Sequence, residues 1–561
     1  MKGLLFMIKI FRYRKTIYFH CQIKYNIMNL QPKQPTNYSA LSTLVIVFFF
    51  WGFIAASNGI FIPFCKSHFD LNQFESQLID FAFYAAYFVG SLILFLITSF
   101  TKVDILNKIG YRKGIIGGLF ISIAGALLMI PAVNSGSYPF ILGALFVIAL
   151  GFSLQQTAAQ PFAIMLGDPS TGSHRLNLGG SVNSFGTTLG PLIVSFVLFG
   201  SIKEGASAAA DITQIKTLYL IVAGVFFAAA LIFIFTKSLP KTVFDEHVEN
   251  SPKAVMSLST LTVGLIVLVV ISQFTNLSKL SLTSIGLGMV FLLLFISYMN
   301  ASKNGEGWGA MKYPQLILGM LAIFVYVGVE VTIQSNMGAL LKTEAFGNID
   351  DSHNSRFISL YWGSLMIGRW MGAISVFNIK KQTKRLLTVI VPFIAFAIVL
   401  LVNIGRGNDV SDLYLYVICI VVVIAGIFFG QEKPVKTLIT LSLLATVAMI
   451  VGMMTDGQIA TYAFMSGGLF CSVMWPCIFS LAVAGLGKYT SEGSAFLIMM
   501  ILGGAIIPPF QGALADTEIG IHGSYIVAVV CFAYLAWHAW QTRRVLQKQG
   551  LDFDQQIGGG H

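Results

Sequence analysis

The costliest residue in this chain, if its apolar runs cross lipid, is Glu330, deep in Ile323-Phe-Val-Tyr-Val-Gly-Val-Glu330-Val. A bare charge at the centre of a lipid-spanning helix costs about 2.5–3.5 kcal/mol. A proton, a bound cation or an ion pair would relieve it, and Arg369 in Gly368-Arg-Trp-Met-Gly372 is the obvious partner. Arg369 also reads as a gate, or as an end residue reaching for water. Asp80 is the next acid to weigh as a proton or cation site. It lies within about two turns of a helix N-terminus, where the dipole favours an acid, so its plainer reading is structural. Amides form a second group. Trp51 and Asn58 are two turns apart on one helix face, Gln156 and Gln160 about one turn apart on another helix, and Gln155 points elsewhere. Asn183, Gln334 and Asn336 complete the set. Amides with an aromatic face suit a ring bearing hydroxyl groups. The same amides could also only join helices.

Other chemistry can be set aside. Gly485-Leu-Gly487-Lys488-Tyr lacks the spacing and hydroxyl of a phosphate-binding loop, so ATP hydrolysis is not expected. No nucleophile elbow, zinc-protease or dinucleotide motif stands in a usable context. The six cysteines form no CxxC pair and the eight histidines no HxxxH pair. No cofactor or structural metal is expected. Sodium near Glu330, held by carbonyl, Asn and Gln oxygens, is the one cation considered, with a proton as its alternative. An enzyme working at the bilayer would want an acidic or histidine cluster near one face, and none is visible.

The elements that carry these residues follow from composition. Of 561 residues 56% are hydrophobic and 11% charged, against roughly 25% charged in soluble chains. Runs long enough to span a bilayer fall near 40–64, 76–99, 113–132, 138–165, 177–200, 216–236, 257–275, 281–299, 313–341, 357–378, 385–404, 413–429, 435–453, 458–485, 492–514 and 523–541. Basic residues gather in alternate loops, at 102–113, 237–253 and 380–385, and in both tails. That alternation places both termini in the cytoplasm of an inner (plasma) membrane protein. It also argues against nucleic acid, which wants a basic face or stripe. Residues 1–36 read as a basic tail or as a mis-called start ahead of Met28. A half at 37–240 is followed by a linker hairpin at 241–305, then a second half at 306–541 and a tail at 542–561. A further hairpin lies near 385–429.

A weak repeat relates the halves. Pro161 and Gly186-Thr-Thr-Leu-Gly-Pro191 in the first correspond to Pro476 and Gly503-Gly-Ala-Ile-Ile-Pro508 in the second. At these motifs the chain resembles the L-fucose/glucose–galactose permease family of the major facilitator superfamily. The resemblance is carried by Phe48-Phe-Phe-Trp51-Gly-Phe with Asn58-Gly59, by Ala82-Phe-Tyr-Ala-Ala-Tyr-Phe88, and by Gln156-Thr-Ala-Ala-Gln160-Pro161. Arg175-Leu-Asn-Leu with Asn183-Ser-Phe-Gly186, Gly368-Arg369-Trp-Met-Gly372, Pro476-Cys-Ile-Phe-Ser-Leu481 and Gly493-Ser-Ala-Phe496 extend it. Leu106-Asn-Lys-Ile-Gly-Tyr-Arg112-Lys resembles a degenerate form of the superfamily's loop motif, which braces one closed state.

The resemblance implies an all-α polytopic membrane protein of two six-helix bundles plus about four extra helices, about 16 in total. It implies a monomeric symporter in membrane lipid, carrying a sugar such as fucose, glucose or galactose. An uncoupled facilitator, a sensor or a membrane enzyme acting on sugars are the alternatives. Two acids that couple protons in fucose-type members are absent, because Gly59 and Gln156 stand in their places. Coupling is then expected to rest on Glu330, with Asp80 second.

Overall fold

The computed structural model describes residues 34–71, 73–203, 213–240, 247–275, 277–349 and 351–551; side chains of 58–60, 63–64, 67, 73–77, 273 and 351–354 stand outside the described set. The tails expected at 1–36 and 542–561 therefore lie in part outside the described residues.

Every long element among the described residues is a helix. The first half contains α1 (Tyr38–His68), α2 (Gln73–Thr101), α3 (Tyr111–Asn134), α4 (Tyr138–Met165), α5 (Gly172–Phe199) and α6 (Thr213–Phe235). A hairpin of α7 (Pro252–Phe274) and α8 (Lys279–Lys303) leads to α9 (Pro314–Leu341) and α10 (Asp351–Ala373). A second hairpin, α11 (Lys381–Gly405) and α12 (Val417–Gly430), precedes α13 (Pro434–Met454). The next two spans are each broken, into α14 (Gly457–Cys471) with α15 (Met474–Ala482) and α16 (Thr490–Met499) with α17 (Gly503–Ala515). The chain closes on α18 (Ile526–Lys548).

Fifteen spans among the described residues are long and apolar enough to cross a membrane. The sixteenth expected one is α10, which is helical but carries Arg356 and Arg369 and packs against α5, α11 and α14. It stays inside protein, where lipid does not select its composition. Helix α18 runs on past the expected end at 541. Thr542 and Leu546 are buried there, and the Arg544 guanidinium lies 3.5 Å from the centre of the Trp540 ring.

The two hairpins stand outside a twelve-span core. Burial covers 17% and 22% of the apolar windows of α7 and α8, against 83% in α9 and 94% across α14–α15. Helix α8 leans on α9 and α17, while α11 leans on α10 and α12 on α13. Large apolar side chains such as Phe235, Phe274, Leu401 and Met454 are exposed, as a lipid-facing surface requires.

Close helix contacts rest on small residues. A Cβ on Gly186 would meet the Phe49 carbonyl across the α1–α5 contact, and one on Gly503 would meet the Phe324 carbonyl of α9. The repeated prolines act through the N–H they lack. Pro161 leaves the Thr157 carbonyl without its helical donor, and Ser494 Oγ of α16 bonds it at 2.9 Å, joining the halves. Pro476 likewise frees the Ser472 carbonyl at the α14–α15 break, and Arg369 Nε donates to it at 3.3 Å.

Candidate functional site

A cavity of about 190 Å³ lies on the seam between the halves, midway along the helices. Helices α1, α2, α4 and α5 line one side and α9, α10 and α15 the other. Aromatic side chains stand on both sides of its wall, with Trp51, Tyr84 and Tyr87 from the first half and Tyr326, Trp362 and Trp475 from the second.

Trp51 is held from behind. Its Nε1 donates to Gln155 Oε1 at 3.1 Å, Gln155 Nε2 donates to Ser122 Oγ at 3.1 Å, and Ser122 Oγ donates to the Ile148 carbonyl at 3.0 Å. Gln155 thus points away from the cavity, and its role is to fix the indole that lines it. Gln156 and Gln160 both line the cavity. Gln156 Nε2 donates to Tyr87 OH at 3.1 Å. Gln160 is 4% exposed and its Oε1 has no hydrogen-bond partner. A buried amide oxygen without a donor costs about 1–3 kcal/mol, and a hydroxyl of a bound ligand would meet that need.

Glu330 and Arg369 form the ion pair anticipated from sequence. Arg369 Nη2 is 3.0 Å from Glu330 Oε1, which also accepts from Tyr326 OH at 2.8 Å. Arg369 Nη1 then crosses the seam to Asn183 Oδ1 at 3.2 Å and Ser184 Oγ at 3.0 Å. Asn183 Nδ2 donates to the Phe48 carbonyl at 3.0 Å. A charge in α9 is therefore connected through α10 to α5 and α1, across both halves. Asn183 lines the cavity, but its amide oxygen and nitrogen each already serve protein, so it positions the wall and binds Arg369.

Not every expected residue meets here. Gln334 and Asn336 do not line this cavity, and Asn336 Nδ2 bonds its own helix at the Thr332 carbonyl, 3.0 Å away. Asp80 is exposed one turn from Tyr84 and outside the lining. The side chain of Asn58 lies outside the described residues. Tyr84, Tyr87, Tyr326, Trp362 and Trp475 line the cavity but were missed as site residues, while Gln155 points elsewhere as expected. Tyr84 and Tyr87, three apart in a helix, carried a signal as a shared face.

The seam is closed toward the end that carries both described termini. There Asn107 Nδ2 donates to the Lys488 carbonyl at 2.9 Å, Ser491 Oγ to Asp104 Oδ1 at 3.1 Å, and Tyr38 OH to the Val376 carbonyl at 3.0 Å. Ser181 Oγ adds a bond to the Arg369 carbonyl at 2.8 Å.

Comparison with known proteins bears on this arrangement. The sequence pattern of the Major Facilitator Superfamily matches residues 43–432. The chain is 30% identical over 514 residues to a glucose/galactose transporter of Brucella abortus, covering 91% of this chain and 96% of that one. It is 23% identical over 506 residues to the L-fucose-proton symporter of Escherichia coli, covering 88% and 90%. The crystal structure of that organism's fucose:proton symporter, FucP, superposes with a TM-score of 0.61 at 21% identity, over 90% of this chain and 98% of that one. With two helical halves around a seam cavity, and with matches of this extent, the chain belongs to the Major Facilitator Superfamily and is a transporter rather than an enzyme.

Proposed function

We propose that this chain is a secondary active symporter for a monosaccharide of the glucose, galactose or fucose kind, coupled to a cation gradient across the cytoplasmic membrane. The observation that carries the reading is Gln160 Oε1, a buried acceptor without a donor in a cavity of amides and indoles between the two halves. Sugar hydroxyls would donate to Gln160 and exchange bonds with Gln156, while Trp51 and its partners cover the apolar ring face. The names of the relatives in Brucella abortus and Escherichia coli agree with this substrate class.

Coupling is assigned to the Glu330–Arg369 pair. Arg369 already supplies a cation to the carboxylate and brings only donors, so a proton suits the site better than sodium, which needs a shell of oxygens. A proton on Glu330 would release Arg369 and loosen its bonds to Asn183 and Ser184 across the seam. With both termini cytoplasmic, the closed end faces the cytoplasm and the cavity exchanges ligand with the outside. The unit is taken as a monomer in lipid. Counterflow in proteoliposomes over a panel of hexoses, repeated with proton and with sodium gradients, tests the reading. Hexose exchange with gradient-driven accumulation is expected. Exchange that no gradient drives uphill would reduce the protein to a facilitator, and no exchange with any hexose would defeat the reading.

A further inference from the structure

Two carboxyl groups outside the cavity meet at the closed end of the seam. Asp104 follows α2 in the first half and is 2% exposed; Glu492 begins α16 in the second and is 3% exposed. Both line one small cavity of about 10 Å³, together with Thr98, Thr157 and Ser491. That is near the lower limit for one water molecule.

Their hydrogen bonds are lopsided. Asp104 Oδ1 accepts from the Asn107 N–H at 2.9 Å and from Ser491 Oγ at 3.1 Å. Glu492 Oε1 accepts from the Ala310 N–H at 3.1 Å, but Oε2 has no hydrogen-bond partner. The nearest cation is occupied elsewhere. Lys312 Nζ is 3.5 Å from Glu249 and 3.3 Å from Tyr489 OH, and it sits 4.4 Å from the centre of the Tyr489 ring. The first-turn position of Glu492 gives it a favourable dipole, worth about 0.3–1 kcal/mol and up to about 2. Two like charges sharing one buried site outweigh that. Burial pushes the Asp104 carboxyl up, against the bonds from Asn107 and Ser491.

We propose that Asp104 and Glu492 form a proton-binding latch, in which one shared proton holds the terminus-bearing end of the seam closed. A proton on Glu492 turns its orphaned oxygen into a donor and removes one of two facing charges. When that end opens, the carboxyls part into water and release the proton. The closed form binds the proton more tightly, so its advantage is full at low pH and fades as pH rises through the pair's closed-state range. The other ionisable groups around the pair are Lys312, Tyr489 and Glu249 beside Glu492, Tyr111 beside Asp104, and His247 and Lys488 at the loop bridged to Val103. All of these remain in the test variants. The latch refers to the closed end itself and stands whether or not the ligand is a sugar.

The test uses full-length protein in lipid nanodiscs with spin labels at Lys113→Cys and Lys548→Cys, both exposed, in a background with Cys21 and Cys419 replaced by Ser. Without added ligand, the closed-to-open ratio should fall as pH is raised, by about tenfold for each unit separating the pair's affinity in the two forms. Glu492→Gln and Asp104→Asn should each abolish that fall, leaving only the opposite dependence set by Glu330, while hexose binding at fixed pH is retained. A wild-type ratio that ignores pH, or variants that keep the wild-type slope, would overturn the latch. Failure of wild-type protein to bind any hexose would instead count against the substrate reading, leaving the latch decided by its own slope.

Discussion

Glu330 and Glu492 are both buried acids on the seam, and they are treated in opposite ways. Glu330 has a guanidinium at 3.0 Å and a tyrosine hydroxyl at 2.8 Å. Glu492 has one backbone N–H, an acid for a neighbour and an oxygen with no partner. The first carboxyl has a cation and a donor already in place, which must part from it to switch. The second is uncomfortable charged and becomes satisfied by taking a proton. The lesson is that burial alone does not assign a role to a carboxylate, because the inventory of donors around it decides which protonation state the fold is built for.

The largest effect that would sharpen this contrast is expected from Arg369→Ala. It leaves Glu330 without its cation and strips bonds from Asn183, Ser184 and the Ser472 carbonyl, so a loss of about 3–5 kcal/mol is expected. Thermal unfolding in detergent should show a large drop, and Glu330→Gln combined with Arg369→Gln should recover much of it. No recovery in the double variant would mean that the pair is not what holds this region. Glu492→Gln should instead change stability by less than about 1 kcal/mol near neutral pH, since its amide puts a neutral donor where the protonated acid would have one. A collapse of the same size as Arg369→Ala would break the comparison.

Two neighbouring glutamines repeat the contrast on a smaller scale. Gln155→Ala removes the acceptor of the Trp51 indole and the donor to Ser122, both buried, so stability should fall by about 1–3 kcal/mol and hexose affinity with it. Gln160→Ala deletes an oxygen that no protein group uses. Its melting temperature should stay near wild type while hexose affinity, read by tryptophan fluorescence, weakens by about tenfold. Equal loss of stability in both variants would make Gln160 a packing residue.

Much of the architecture was legible because lipid selects long apolar runs. Helix α10 is the instructive exception: it is a long helix where a span is expected, but its arginines make it the least apolar and it is not among the fifteen apolar spans. Helix α5 starts earlier than expected, at Gly172, because its polar first turns face protein. Arg175 there is fully buried, with Nε donating to the Ala163 carbonyl at 2.7 Å and Nη1 to Thr171 at 2.8 Å. The Glu330–Arg369 pair could be anticipated from the cost of burial alone. Which side of α4 faces the cavity could be read from the spacing of Gln156 and Gln160, but the purpose of Gln155 could not, since its partners come from α1 and α3. Gln334 and Asn336 were polar residues in an apolar run, and run composition does not say which face meets the cavity. Asp104 and Glu492 lie in different halves, and nothing local to either brings them together.

In the proposed mechanism Glu330 couples a cation to sugar movement through Arg369. The most direct measurement is transport by Glu330→Gln in proteoliposomes, reading hexose exchange and gradient-driven accumulation in the same preparation. Exchange should persist while accumulation is lost. Accumulation at the wild-type level would contradict it.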